Sequence, residues 1–214
     1  MPKMTLEQAH ARVQRDSLFA FVYDDGFAQP VYDLEAPWVE REVHLLPGSF
    51  NPIHRAHEAM FEQMRRNGIY AAYEISMERI DKEFLTYEEL QARLVQFNGK
   101  GPVLVDRWPY FMQKAGILRN WNLTFHVGVD TAIRLVESHG IAGIQGIAAD
   151  FVVYDRIWEN RRQGLGSCMV FANRTPSNFR PGNTPDETLL GLSSTAIRAG
   201  HQTPDGRAIA SATN

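Results

Sequence analysis

Cysteine is nearly absent: Cys168 is the single one in 214 residues. That excludes an intramolecular disulfide and suits a reducing compartment. Long apolar runs are missing too, and none approaches the ~20 residues that span a bilayer. Residues 1–15 are mixed polar, without the apolar core of a signal peptide. Neither sign of charge dominates. The 22 basic and 25 acidic residues leave a net charge of −3, which offers no general attraction to nucleic acid or anionic membrane. Any anion binding must come from local groups. Three fingerprints are also absent: GxxxxGK[ST], which excludes a P-loop enzyme; GxGxxG after a strand, which marks a dinucleotide site; and the GxSxG elbow of hydrolases. These absences point to a cytoplasmic protein with no nucleic acid or membrane among its partners, and they leave a homo-oligomer open.

What is present is an ordinary globular composition, 44% hydrophobic, on a chain long enough for one sizeable core. Residues 1–41 read as a small N-terminal extension. A helix is expected over Thr5–Arg15, then a strand over Leu18–Tyr23, with Phe27–Tyr32 able to return as a hairpin after Asp24-Asp25-Gly26. From residue 42 to 214 the pattern becomes one α/β domain. Strands are expected at Val43–Leu46, Ala71–Ser76, Val103–Asp106, Leu123–Val127 and Cys168–Ala172. Helices are expected over Ala56–Arg66, Thr86–Phe97, Pro109–Leu118, Asp130–Ser138 and Ser193–Ala199, with Thr86 and Glu89 as a capping box. The segment Asp150–Arg162 reads as helical, although Phe151–Tyr154 can pass for a strand, and Thr175–Glu187 reads as a loop. Strand–helix alternation implies a parallel sheet with crossover helices. The fold class is therefore α/β, a Rossmann-like open parallel sheet of about five strands with helices on both faces.

The most informative stretch runs from Leu45 to His57, L-L-P-G-S-F-N-P-I-H-R-A-H. A buried strand breaks at Pro47-Gly48, and two histidines spaced i and i+3 stand where a helix begins. Ligands of open α/β sheets bind at that end of the strands. Gly48 lets backbone approach a ligand, the Ser49 hydroxyl can donate to a phosphate oxygen, and His54 and His57 are close enough to share one. The alternatives are a structural histidine beside an exposed one, or a two-histidine metal site whose only further candidate nearby is Glu58; no metal ligands are assigned. Leu192-Ser193-Ser194-Thr195-Ala196-Ile197-Arg198 offers a second anion site, or an ordinary N-cap. In Val127-Gly128-Val129-Asp130-Thr131, Gly128 can admit a ribose or base and Asp130 can accept from a hydroxyl or cap a helix. Lys82 can reach a phosphate or stay solvated. Trp108, Tyr110 and Trp121 lie near predicted strand ends, where an aromatic can stack on a ring or pack into the core. Cys168 reads as a small core residue rather than a nucleophile.

Taken together, Gly48-Ser49-Phe50-Asn51-Pro52-Ile53-His54-Arg55-Ala56-His57 resembles the GSFNP-x-HxGH signature of the nucleotidyltransferases related to class I aminoacyl-tRNA synthetases. Residues 192–198 resemble their late ISSTxIR motif, residues 127–131 their GxD segment, and Ile75-Ser76 with Asp81-Lys82 the second-strand region of one branch. Ala56 stands where the family has glycine between the histidines. The resemblance implies transfer of AMP from ATP to a phosphate-bearing acceptor, a pyridine mononucleotide first, with release of pyrophosphate. It leaves a phosphopantetheine or cytidylyl variant, or a non-catalytic nucleotide-binding protein, as alternatives. It implies His54, His57 and Arg198 as catalytic, and Gly48, Ser49, Phe50, Lys82, Gly128, Asp130, Ser194 and Thr195 as nucleotide-binding. Mg²⁺ is expected to travel on the ATP phosphates.

Overall fold

Residues 4–16, 19–22, 27–31, 42–65, 70–78, 83–158, 161–168, 175–183, 189–200 and 202–205 are described by the computed structural model. The segment read as an extension opens with β1 (Met4–Thr5) and α1 (Leu6–Asp16), whose Ala9 and Val13 are buried. The hairpin forms as β2 (Phe19–Val22) against β3 (Phe27–Val31), antiparallel with Ala20 opposite Pro30. It also pairs β2 with a strand of the following α/β unit, so these residues extend the same sheet. Composition cannot foretell this, because any exposed strand edge offers unpaired N–H and C=O groups to a neighbouring hairpin.

The parallel part of the sheet has six strands rather than five. β4 (Glu42–Pro47), β5 (Tyr70–Ser76), β6 (Val103–Asp106), β7 (Asn122–Gly128), β8 (Asp150–Tyr154) and β11 (Phe179–Pro181) lie in the order β6-β5-β4-β7-β8-β11. Between them run α2 (Arg55–Arg65), α3 (Tyr87–Leu94), α4 (Phe111–Ile117) and α5 (Val129–Gln145), and α6 (Ser194–Arg198) follows. β9 (Arg156–Trp158) and β10 (Arg161–Gln163) make a separate hairpin after β8. The capping box at α3 is present, with Thr86 accepting from the Glu89 amide.

Three expectations need correction. The described residues of Asp150–Arg162 are not helical: Phe151–Tyr154 is a continuous apolar, β-branched and aromatic run buried on both faces, the pattern of a central parallel strand. Cys168 closes a 3₁₀ turn, Leu165–Cys168, rather than opening a strand, and residues 169–172 of that expected strand lie outside the described residues. The expected loop Thr175–Glu187 contains the short edge strand β11, which pairs with β8 from Phe179 to Pro181.

Helices cover both faces. On one face Val43, Leu45, Leu123, Phe125, Val127, Phe151 and Val153 pack against α4 and α5. On the other, Leu46, Tyr73, Ile75, Val103 and Val105 pack against α1, α2 and α3. The parallel strands alternate sides in this way because successive residues point to opposite faces of a pleat. Reading the parallel strands in chain order as one to six, their spatial order is 3-2-1-4-5-6, the doubly wound arrangement, whose ligands bind where the winding reverses. Here that point lies between β4 and β7.

A buried charged cluster fixes the neighbouring edge of that crevice. Lys114 on α4 meets Glu74 on β5 at 2.5 Å, and both are buried. The Glu74 carbonyl accepts the Gly48 amide at 3.0 Å. Beside them Asp106 is fully buried, and burial first, then the Glu74 charge, pushes its carboxyl well above the usual range while Lys114 opposes the shift. Glu74 thus links α4 to the start of the Pro47-Gly48 loop. Among the described residues no helix is long and apolar enough to cross a membrane.

Candidate active site

Pro47 ends β4, and the chain turns sharply through Gly48, Ser49 and Phe50. Phe50 has a φ of 43°, in the left-handed region that non-glycine residues seldom adopt. That turn drives its ring under the loop into the core, edge-on to Tyr73 at 5.5 Å, Phe97 at 5.1 Å and His57 at 5.0 Å. Phe50 therefore supports the loop from beneath, and its side chain is a core group. The ring explains Gly48: a Cβ there would lie 2.8 Å from Cζ of Phe50. Gly48→Ala is expected to cost about 1–3 kcal/mol, because the pinned ring must leave its rotamer. Urea unfolding measures this; a cost near zero would mean that the ring yields.

The loop delivers two histidines. His54 precedes α2 and its carbonyl accepts the His57 amide at 2.9 Å. The imidazoles stack with centroids 3.7 Å apart and planes 19° from parallel. His57 Nδ1 accepts from the His54 amide at 3.4 Å, so a neutral His57 carries its proton on Nε2. His54 Nδ1 is buried without a hydrogen-bond partner. Burial lowers the His54 pKa to about 4, with Arg156 adding to the shift and Glu58 opposing it. Burial likewise carries His57 well below 6.5, helped by His54 and Arg156. Two neutral, stacked imidazoles at the start of a helix thus face a cationic neighbour.

They line a cleft of about 270 Å³ at the carboxyl ends of β4, β7 and β8. Its walls also include Gly48, Ser49, Ala56, Gly128 and Asp130, together with Phe111, His126, Tyr154, Asp155, Arg156 and Leu189. Asp130 does not cap α5, whose N-cap is Gly128. Its carboxylate pairs with Arg156 Nη1 at 3.1 Å and Arg134 Nη2 at 3.1 Å. Arg156 Nη2 also donates to the Leu192 carbonyl at 2.7 Å. Gly128 leaves room for that carboxylate, since a Cβ there would stand 2.6 Å from Asp130 Oδ1 and the side chain would have to shift.

The late motif reaches the same loop from the other end of the chain. Ser193 caps α6, accepting from the Ala196 amide. Ser194 Oγ donates to the Pro52 carbonyl at 2.9 Å, and Arg198 donates to the Asn51 carbonyl and to Thr195 Oγ1. Ser194, Thr195 and Arg198 thus buttress the histidine loop without lining the cleft. Lys82 lies outside the described residues. Of the aromatics, Trp121 is buried in the core, Trp108 packs against it, and Tyr110 is exposed before α4. None of the three lines the cleft; Phe111 does.

No protein-family model matches the sequence, and no curated protein matches it. Solved structures do. One is a Plasmodium falciparum nicotinic acid mononucleotide adenylyltransferase complexed with NaAD, at TM-score 0.52 and 14% identity, covering 77% of this chain and 86% of that one. Another is a Plasmodium falciparum nicotinic acid mononucleotide adenylyltransferase complexed with APC, at TM-score 0.53 and 13% identity over the same shares. The chain has a nucleotidyltransferase-like fold. Within that nucleotidyltransferase-like fold, sequence reasoning missed Arg156, Tyr154 and His126. The first two fall in the segment read as helical. Taken as a strand, Phe151–Tyr154 would have placed Arg156 two residues past a strand end, where ligands bind. His126 carries no signal in sequence, since a histidine in an apolar strand looks the same whether it meets core or cleft.

Proposed function

We propose that the protein is a nucleotidyltransferase that transfers AMP from ATP to a phosphate-bearing acceptor, a pyridine mononucleotide first, and releases pyrophosphate. One observation carries this reading: the H-x-x-H pair and the S-S-T-A-I-R segment, 136 or more residues apart in sequence, are bonded through Asn51 and Pro52 at the crevice of a doubly wound sheet. The acceptor phosphate attacks the α-phosphorus of ATP; the bond to the β-phosphate oxygen breaks, and its electrons leave with pyrophosphate. No covalent enzyme intermediate is needed, so catalysis is positioning and charge stabilisation. His54 and His57 donate N–H groups toward the α-phosphate, and Gly48 and Ser49 admit the phosphates to the loop. Gly128 and Asp130 border the adenosine. Ser194, Thr195 and Arg198 hold the β- and γ-phosphates, Arg198 by exchanging the Asn51 carbonyl for a phosphate oxygen, and Lys82 meets a further phosphate. Mg²⁺ enters as part of the ATP substrate.

Pyrophosphate release is the direct measurement, with ATP or CTP set against nicotinamide mononucleotide, nicotinate mononucleotide and phosphopantetheine. Release with ATP and one pyridine mononucleotide is expected. Binding of ATP without release for any acceptor would overturn the transfer and leave a nucleotide-binding protein.

A further inference from the structure

A chain of four side chains crosses the sheet and ends in the cleft wall. Glu42 Oε1 lies 2.9 Å from His44 Nε2, His44 Nδ1 lies 2.7 Å from His126 Nε2, and His126 Nδ1 lies 2.8 Å from the Tyr154 hydroxyl. The parallel register makes the path diagonal. His44 is level with Thr124, two residues before His126, and Tyr154 is level with Gly128, two residues after it. Each step between strands therefore climbs two residues on one face, from the beginning of β4 to the end of β8. Glu42 is half-exposed, His44, His126 and Tyr154 are buried, and the last two line the cleft.

The chain has one sense. A carboxylate only accepts, so His44 Nε2 carries the proton it shares with Glu42. A neutral His44 then has a bare Nδ1, which requires the proton on His126 Nε2. That leaves His126 Nδ1 bare, and it takes the Tyr154 hydroxyl proton. Burial keeps both imidazoles neutral, with the His126 pKa lowered to about 3. Neither ring nitrogen of His126 has a proton to spare, and the Tyr154 oxygen has only lone pairs left to offer.

Resting on the reading of the cleft as a nucleotide site, we propose that the Glu42–His44–His126–Tyr154 chain makes Tyr154 a specificity-determining acceptor for a planar amino group of the substrate, an exocyclic amine or a primary carboxamide, and that it rejects a carbonyl or carboxylate in the same place. The phosphates belong beside His54 and His57, which supply the N–H donors. Glu42, His44 and His126 are positioning residues, acting through Tyr154.

Two substrate pairs carry this chemistry and separate its sources. ATP against ITP exchanges the purine 6-amino group for a 6-oxo group. Nicotinamide against nicotinate mononucleotide exchanges a carboxamide for a carboxylate. Calorimetric binding and pyrophosphate release are measured for each, with tripolyphosphate binding alongside. The wild type is expected to favour the amino partner of one pair by about 10- to 100-fold, and that pair names the moiety. Tyr154→Phe removes the acceptor and brings the ratio toward unity. Glu42→Gln, at the far end of β4, frees the sense of the chain, because an amide both donates and accepts; it lowers the same ratio without touching the cleft. A purely structural tyrosine would not respond to it. Ratios that persist in both folded variants overturn the inference. So does a wild type that binds tripolyphosphate yet discriminates neither pair, a result that spares the transferase reading. Failure to bind either ATP or tripolyphosphate overturns both.

Discussion

His57→Ala lowers turnover about 10²–10³-fold with ATP and the preferred acceptor, a loss of roughly 3–4 kcal/mol of transition-state stabilisation. The expectation follows from how little freedom the ring has. It stacks on His54 at 3.7 Å and meets the edge of Phe50 at 5.0 Å. Its Nδ1 is occupied by the His54 amide, so Nε2–H is held in one direction before substrate arrives. A donor fixed beforehand costs no reorganisation as charge develops on the phosphate, and among the described residues the imidazole that adjoins it is His54, whose Nδ1 is enclosed. Steady-state kinetics give the number, and a melting temperature within a few degrees of the wild type separates lost chemistry from lost fold. Near-normal turnover would remove His57 from the mechanism.

Acid destabilises the protein steeply below about pH 6.5. His44, His54, His57 and His126 all have pKa values pushed below the ordinary 6.5 by burial, His54 to about 4 and His126 to about 3. In the folded chain these rings stay neutral while the unfolded chain takes up protons. Their stabilising contribution is complete above pH 6.5 and is lost as the pH falls toward 4 and 3. His54 and His126 alone each account for about 2 kcal/mol by pH 5, from the difference in proton uptake. Set against the 5–15 kcal/mol typical of a folded domain, a loss of about 4 kcal/mol decides whether the protein stays folded. Urea melts between pH 8 and 4.5 test the slope. Tripolyphosphate should recover part of the loss, because an anion beside His54 and His57 favours their charged forms and binds only the folded state. A curve flat to pH 5 would show that these rings are not buried in their neutral form.

The parts legible in sequence share a local cause. β4, β5, β6 and β7 are apolar runs bounded by turn residues, and α3 announces itself by its capping box. The Pro47–His57 stretch is a contiguous motif whose residues must meet because they are neighbours in the chain. The parts that were not legible depend on distant partners. Phe151–Tyr154 suits a strand or a helix when read alone, and only neighbours on both sides, β7 and β11, decide for the strand. The first hairpin joins the main sheet because Ala20 meets Val105, a pairing across 85 positions that no local pattern encodes.

By itself the sequence determined the α/β class, the strand–loop–helix that carries His54 and His57, and the two motifs expected to share a phosphate chain, because hydrophobic period and contiguous motifs are local properties. Only the tertiary structure decided which residues surround the cleft. It put Arg156 against Asp130, turned Ser194 and Arg198 onto the histidine loop, and aligned Glu42, His44, His126 and Tyr154 across three strands. Those choices follow from strand order and register, which are set by which buried faces pack together across the whole chain.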